Sequence, residues 1–191
     1  MIRKPRLPSE LHDTSIGAGV SLRFPAWADF ENWVALRRCN RKHLTPWEPQ
    51  WNDAHLSRAS YRQKLARFKK MVSNDEAYPF YIFRSTDDRL IGACNITHVE
   101  RNVSQSAKLG YWVGADYTRQ GFARAAVRAS LRFCFDDLRL HRVEAAVQPG
   151  NAASIRVLEA CGFHGEGVSR GYLKIDSQWR DHEIFAKLST D

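Results

Sequence analysis

Leu109-Gly110-Tyr111-Trp112-Val113-Gly114-Ala115-Asp116-Tyr117-Thr118-Arg119-Gln120-Gly121-Phe122-Ala123-Arg124 reads as a strand that passes through a short loop into a helix. From Phe122 onward, Phe122, Ala126, Ala129 and Phe133 recur at helical spacing, with Val127, Leu131, Cys134 and Leu138 beside them. That stripe predicts a helix over 122–138. Small residues stand where it begins. The free backbone N–H groups of a helix start converge on one spot, and the dipole adds partial positive charge, which suits a pyrophosphate. Gly121 and Ala123 would let phosphates approach the backbone, and Arg119 and Arg124 can add charge-assisted hydrogen bonds. An ordinary turn whose glycine serves packing is the other reading, and the residues alone leave both open. Neither a Walker lysine motif nor a G-x-G-x-x-G fingerprint is present, which argues against a nucleoside triphosphate or a nicotinamide cofactor.

Working outward, Arg142 to Val147 alternates as a strand, and Asn151 to Cys161 reads as a short helix closed by Gly162. A hairpin of Val168 to Ile175 and Glu183 to Leu188 ends the chain. Toward the N-terminus, Leu109 to Val113 is preceded by strands over Leu90 to Ile96 and Tyr78 to Arg84, joined by the turn Ser85-Thr86-Asp87-Asp88. Before them come a helix from Asp53 to Val72, a helix capped by Asp29 that runs to Asn40, and a first strand Ser21 to Phe24 ended by Pro25. Residues 1–20 are expected to be a loose arm, and 21–191 a single domain. Arg124, Arg128 and Arg132 recur on one helix face, which is more often solvated than partnered.

With 191 residues, 43% of them hydrophobic, the chain can bury a sizeable core. Its formal net charge of +8 favours an anionic partner: nucleic acid, an acidic protein surface or a polyphosphate cofactor. Cys39, Cys94, Cys134 and Cys161 are far apart, which argues against a zinc site or a disulfide scaffold. No metal is expected. No signal peptide or membrane-spanning run is visible, so the expected location is cytoplasmic, without membrane contact.

Four stretches together resemble the GCN5-related N-acetyltransferase superfamily and, within it, the ribosomal-protein-alanine N-acetyltransferase group. They are Asn40 to Pro49 (NRKHLTPWEP), Leu109 to Arg124, Asn151 to Phe163 (NAASIRVLEACGF) and Tyr172 to His182 (YLKIDSQWRDH). The resemblance covers residues 20–188. It implies an α+β, three-layer fold: a strongly curved mixed sheet, helices on both faces, and two central strands that splay into a V holding acetyl-CoA. It also implies that the pyrophosphate meets the backbone from Thr118, Arg119, Gln120, Gly121, Phe122 and Ala123 to Arg124. The pantetheine would lie along Trp112 and Val113. Asn151 and Ser154 would line the cofactor's reactive end, and Trp47 and Glu48 would belong to the substrate loop. The chain departs from the pattern at Thr118, where relatives carry Gln or Arg. It departs again at Leu158, where many carry a Tyr that protonates the leaving thiolate. That second role then passes to Ser154 or to water.

Attack of an amine on a thioester needs a neutral amine, a polarised carbonyl and a proton for the sulfur. An α-amine, with a pKa of about 7.7–8.0, needs far less help than a lysine side chain at about 10.4. Backbone N–H groups near Val113 would hold the developing oxyanion. Glu100 ranks first as general base, ahead of Glu144, His98 and Glu48, because it follows the strand next to the expected gap. Trp179, Arg180 and Asp181 are expected to hold the closing hairpin. The leading function is acetyl transfer to a protein N-terminus, possible partners being a ribosomal protein and the nearby ribosome, without recognition of a nucleic-acid sequence. The alternatives are transfer to a small amine such as a polyamine, amino acid or antibiotic, and a non-catalytic ribosome- or RNA-binding module.

Overall fold

The structure is a computed structural model that describes residues 7–15 and 19–191. Eight strands form one mixed sheet in the order β1-β2-β3-β4-β5-β6-β8-β7. They are β1 (Glu10–Asp13), β2 (Val20–Arg23), β3 (Tyr78–Arg84), β4 (Arg89–Glu100), β5 (Ser106–Val113), β6 (Arg142–Val147), β7 (His164–Ile175) and β8 (Gln178–Leu188). The helices are α1 (Phe30–Cys39), the short α2 (Arg41–Leu44), α3 (Arg58–Ser73), α4 (Phe122–Arg132) and α5 (Ala152–Ala160). The α+β fold expected from the sequence is therefore present, with helices on both faces.

Strand alternation divides the core in two. Phe80, Ile82, Cys94, Ile96 and Leu109 face α4 and α5, where they pack with Phe122, Ala126, Phe133 and Leu158. Tyr81, Phe83 and Ala93 face the other way and pack with Phe30, Trp33 and Val34 of α1 and Tyr61 of α3. Each layer buries enough large apolar surface to hold its helices, since a buried aromatic or branched side chain contributes about 1.5–3 kcal/mol.

Several expectations are corrected. The arm is not loose throughout: β1 pairs antiparallel with β2, Leu11 opposite Leu22. The buried carboxylate of Asp13 anchors it, 2.9 Å from Arg132 and 3.5 Å from Arg128. So two of the three arginines on that face of α4 have a carboxylate partner, although the side chains of Arg128 and Arg132 stay 39% and 48% exposed. The rest of the expected arm, 1–6 and 16–18, lies outside the described residues. The helix expected from Asp53 opens as a 3-10 turn over Asp53–Leu56, and α3 starts after Ser57, whose hydroxyl accepts from the Ser60 N–H at 3.2 Å. The helix expected to reach Leu138 becomes a π-helical turn over Phe133–Asp137. Asp29 stands at the N-cap of α1 as expected, but its side chain makes no cap bond to that helix; it pairs with Arg23 at 2.8 Å and accepts from the Ala26 N–H, closing the 3-10 turn Trp27–Asp29. The closing strands β7 and β8 extend well beyond the stretches read from the sequence.

Candidate active site

All neighbouring strands are antiparallel except β5 and β6, which pair in parallel at only three positions: Ser106 with Arg142, Ala107 with Val143, and Lys108 with Glu144. Beyond Lys108 the two strands part, although β5 continues to Val113 and β6 to Val147. β5 stays bonded to β4 on its other side through Val113 opposite Gly92. The Gly114 N–H reaches the Ile91 carbonyl at 2.9 Å. Backbone groups alternate along an antiparallel ladder. Those of Gly110 and Trp112 therefore face β4, and those of Leu109, Tyr111 and Val113 face the opening. Of the two residues expected along the pantetheine, Val113 presents its backbone to the gap. Trp112 instead presents its indole to the α1–α3 face. Gly92 permits this packing: a Cβ there would lie 2.2 Å from the Trp112 carbonyl oxygen.

β5 leads through a 3-10 turn, Ala115–Tyr117, into α4. Buried Asn40, at the end of α1, fixes the start of that turn by accepting from the Ala115 N–H at 2.7 Å. Thr118 donates to the Ala115 carbonyl at 2.8 Å, and Gln120 to the Asp116 carbonyl at 2.7 Å. These two side chains hold the turn itself. Gly121 takes the left-handed conformation (φ 83°) and caps α4 without any side-chain hydrogen bond to the helix start. The first N–H groups of α4, from Phe122 to Arg124, therefore have no side-chain cap. The Phe122 side chain is core, so only its backbone can serve a ligand. Arg119 and Arg124 are both exposed beside this start. An uncapped helix start with two adjacent guanidinium groups fits a diphosphate.

Across the opening, Asn151 accepts from the Ser154 N–H at 3.2 Å, so its side chain caps α5. The Ser154 hydroxyl lies 2.9 Å from that of Tyr111. Burial holds the Tyr111 phenol well above the ordinary tyrosine range. Tyr111 was not singled out from the sequence, where strand alternation marks it only as a core-facing aromatic.

At the apex of the V, Lys108 donates to the Tyr172 hydroxyl at 2.6 Å. That bond raises its pKa against burial, with smaller contributions from Glu144 and Glu100. One extra residue in β4 around His98 (φ 51°) shifts the pairing so that Glu100 lies opposite Ser106. Glu100 therefore shares a face with Lys108 and Glu144. It is exposed and accepts from the Ser104 hydroxyl at 2.7 Å, whereas Glu144 accepts from Arg142 at 2.9 Å. The structure brings Glu100 to the apex and Ser154 to the opposite face of the sheet.

The expected substrate loop lies on the Lys108 face. Gln148 donates to the Pro46 carbonyl at 3.0 Å, and Gln50 to Asp176 of the hairpin tip at 2.6 Å. Trp47 is 40% exposed. Glu48 is already engaged: Arg37 donates to both its oxygens at 2.9 and 2.6 Å, and the Trp51 indole N–H donates as well. Of the hairpin residues, Asp181 accepts from the Gly171 N–H at 2.7 Å, but Trp179 is 68% exposed and packs no core. Behind the loop, α1 and α3 enclose with β3–β5 a cavity of about 360 Å³. Among the described residues, no group of three or more His, Cys, Asp or Glu could hold a metal ion, and no helix is long and apolar enough to cross a membrane.

Comparison with known proteins agrees with this geometry. The family described as acetyltransferase (GNAT) domain matches residues 20–164. A relative in Bacillus subtilis (strain 168), named probable N-acetyltransferase YjcK, is 35% identical over 163 residues, covering 85% of this chain and 90% of the relative. The [ribosomal protein uS5]-alanine N-acetyltransferase of Escherichia coli (strain K12) is 31% identical over 152 residues, covering 80% and 78%. The solved structure of Mycobacterium smegmatis RimJ in complex with CoA-disulfide superposes with a TM-score of 0.92 at 31% identity, covering 98% of this chain and 91% of that one.

Proposed function

Because the chain belongs to the GNAT acetyltransferase family, and is therefore an acetyltransferase, we propose that it moves the acetyl group of acetyl-CoA to the N-terminal α-amine of a protein, a ribosomal protein foremost. Family membership sets aside the non-catalytic alternative.

Acetyl-CoA supplies the activated acetyl group as a thioester. The chain's own residues do the rest. The N–H groups of Phe122, Ala123 and Arg124, with the Arg119 and Arg124 side chains, hold the diphosphate. The gap-facing backbone of Tyr111 and Val113 aligns the pantetheine and offers N–H groups to the carbonyl oxygen as negative charge develops there. The Ser154 hydroxyl donates a hydrogen bond to the sulfur as thiolate character develops there. The amine approaches from the Lys108 face, past Trp47. Its proton leaves through water toward Glu100, which lies opposite Ser106, about 17 Å along the strand from Tyr111; the Glu100 carboxylate accepts from Ser104, whereas that of Glu144 is tied to Arg142.

One observation carries the choice of acceptor: in the cavity beside the approach, three cations stand against one acid. Lys108 stands at the apex and Arg37, Lys64 and Arg67 line the cavity behind it. Such a face repels polyamines. An α-amine is also the acceptor that a single exposed carboxylate can serve, because an appreciable fraction of it, roughly a tenth or more, is already neutral near pH 7. The name of the Escherichia coli relative supports a ribosomal protein. The test is mass spectrometry of products from peptides with free or blocked N-termini, assayed beside spermidine. Acetylation of free N-termini alone is expected; label confined to lysine side chains or spermidine overturns the assignment.

A further inference from the structure

We propose that the cavity beneath α3 is a subsite for a carboxylate of the acceptor, an aspartate or glutamate side chain among the first few residues behind the acetylated amine. This rests on the reading that the acceptor is a protein N-terminus.

Position is the first argument. Trp112 belongs to both places: its neighbours Tyr111 and Val113 border the gap, and its indole walls the cavity together with Asn95 and Thr97 of β4. An extended chain advances about 3.3–3.6 Å per residue, so a peptide whose amine sits at the apex brings its next few side chains to this wall.

Charge is the second. Three cations line the cavity, Arg37 from α1 and Lys64 and Arg67 from α3, against one acid, Glu48. Glu48 is consumed by Arg37 in a two-fold hydrogen-bonded pair. Lys64 and Arg67 make no ion pair with a carboxylate among the described residues. These two basic groups thus face a partly enclosed space with no ion-pair partner of their own among the described residues. Such a site favours an anion over a basic side chain.

The third argument is the way Lys64 is held. Its ammonium lies 4.2 Å from the Trp33 ring and 5.7 Å from that of Tyr81. These aromatic faces fix the cation in place and leave its N–H donors to be matched. Burial pushes its pKa down to about 7, with Arg37 and Arg67 adding to the shift and Glu48 opposing it. A carboxylate entering the cavity would relieve that destabilisation. The Asn95 amide supplies further donors on the same wall.

The experiment is calorimetry on the CoA-saturated protein with N-acetylated hexapeptides, which cannot react. Each carries Glu or Gln at the second, third or fourth position. At one position the Glu peptide should bind at least tenfold tighter than its Gln partner. Lys64→Met should remove most of that preference, Lys64→Arg should keep it, and Arg67→Gln, on the exposed side of α3, should weaken it. Equal affinity of Glu and Gln peptides at every position, failure of all the peptides to bind, or a preference unchanged in Lys64→Met overturns the proposal. Free-amine versions of the same peptides report on the acceptor class separately. If none is acetylated while the Glu preference persists, the α-amine assignment fails and the carboxylate subsite stands.

Discussion

The Tyr111 hydroxyl lies 2.9 Å from the Ser154 hydroxyl and 3.1 Å from the Ser154 carbonyl oxygen, so the strand on one side of the splay is bonded to the helix on the other. Burial keeps the phenol protonated. The single Tyr111 proton can go to the Ser154 carbonyl or to the Ser154 hydroxyl, and in the second arrangement the serine's own proton is free for the sulfur. Tyr111→Phe should lower kcat about tenfold, equivalent to about 1.4 kcal/mol, with acetyl-CoA affinity little changed. Ser154→Ala should do the same. Because the two hydroxyls act together, the double variant should lose little more than either single one. Losses that multiply in steady-state kinetics would mean that the contact has no part in turnover.

Gly121 is the second test. Its φ of 83° is strained for any residue with a side chain, and a branched one would stand at the uncapped start of α4. Gly121→Val should weaken acetyl-CoA binding more than tenfold, read by calorimetry on a variant whose circular dichroism is unchanged. Undiminished affinity in such a variant would place the diphosphate elsewhere.

Gly92 should respond in stability first. With a Cβ only 2.2 Å from the Trp112 carbonyl oxygen, Gly92→Ala must push β4 and β5 apart. The expected cost is about 2 kcal/mol or more, as for other overpacked sites, measured by urea unfolding. A variant as stable as the parent would show that the strands yield at this point without penalty.

Asp13 sets a pH dependence. Burial works against its charge, but hydrogen bonds from Ser15 and Arg132 and the charge of Arg128 outweigh it and hold the carboxyl below its ordinary 3.8. A depressed carboxyl contributes stability that is fully present above the unfolded value and is lost as pH falls through the folded one. Asp13→Asn should therefore melt lower than the parent at pH 7, and the difference should close as pH drops below about 4. A difference that stays constant into acid would mean that packing, not charge, is what the variant removes.

The site was legible wherever its signal is local. Gly121 before an apolar stripe, and Asn151 three residues before Ser154, are short-range patterns, and both elements formed where the spacing put them. The parts that stayed hidden depend on pairing between distant residues. β1 has only four residues, ELHD, two of them charged, and becomes a strand because β2 and the arginines of α4 receive it. Glu48 reads in sequence as a substrate-loop residue and a candidate base, and its pairing stays hidden because Arg37 sits on a separate helix. Tyr111 could not be told from a core tyrosine, since only the return of α5 brings a serine to its hydroxyl. Lys64 reads in sequence as one of many charges on α3, and only the packing of Trp33 and Tyr81 around it sets it apart.

The early end of the β5–β6 ladder has a further consequence, for solubility. Unbonded strand edges on the rim of a sheet invite other molecules to add to it, and proteins usually blunt them with charge, proline or short length. Here the unbonded groups of Tyr111 and Val113 are turned inward, toward a strand of the same sheet. A second protein's sheet has no line of approach to them, while a single thin chain does. The protein can therefore keep reactive backbone unbonded at its centre without becoming a template for aggregation.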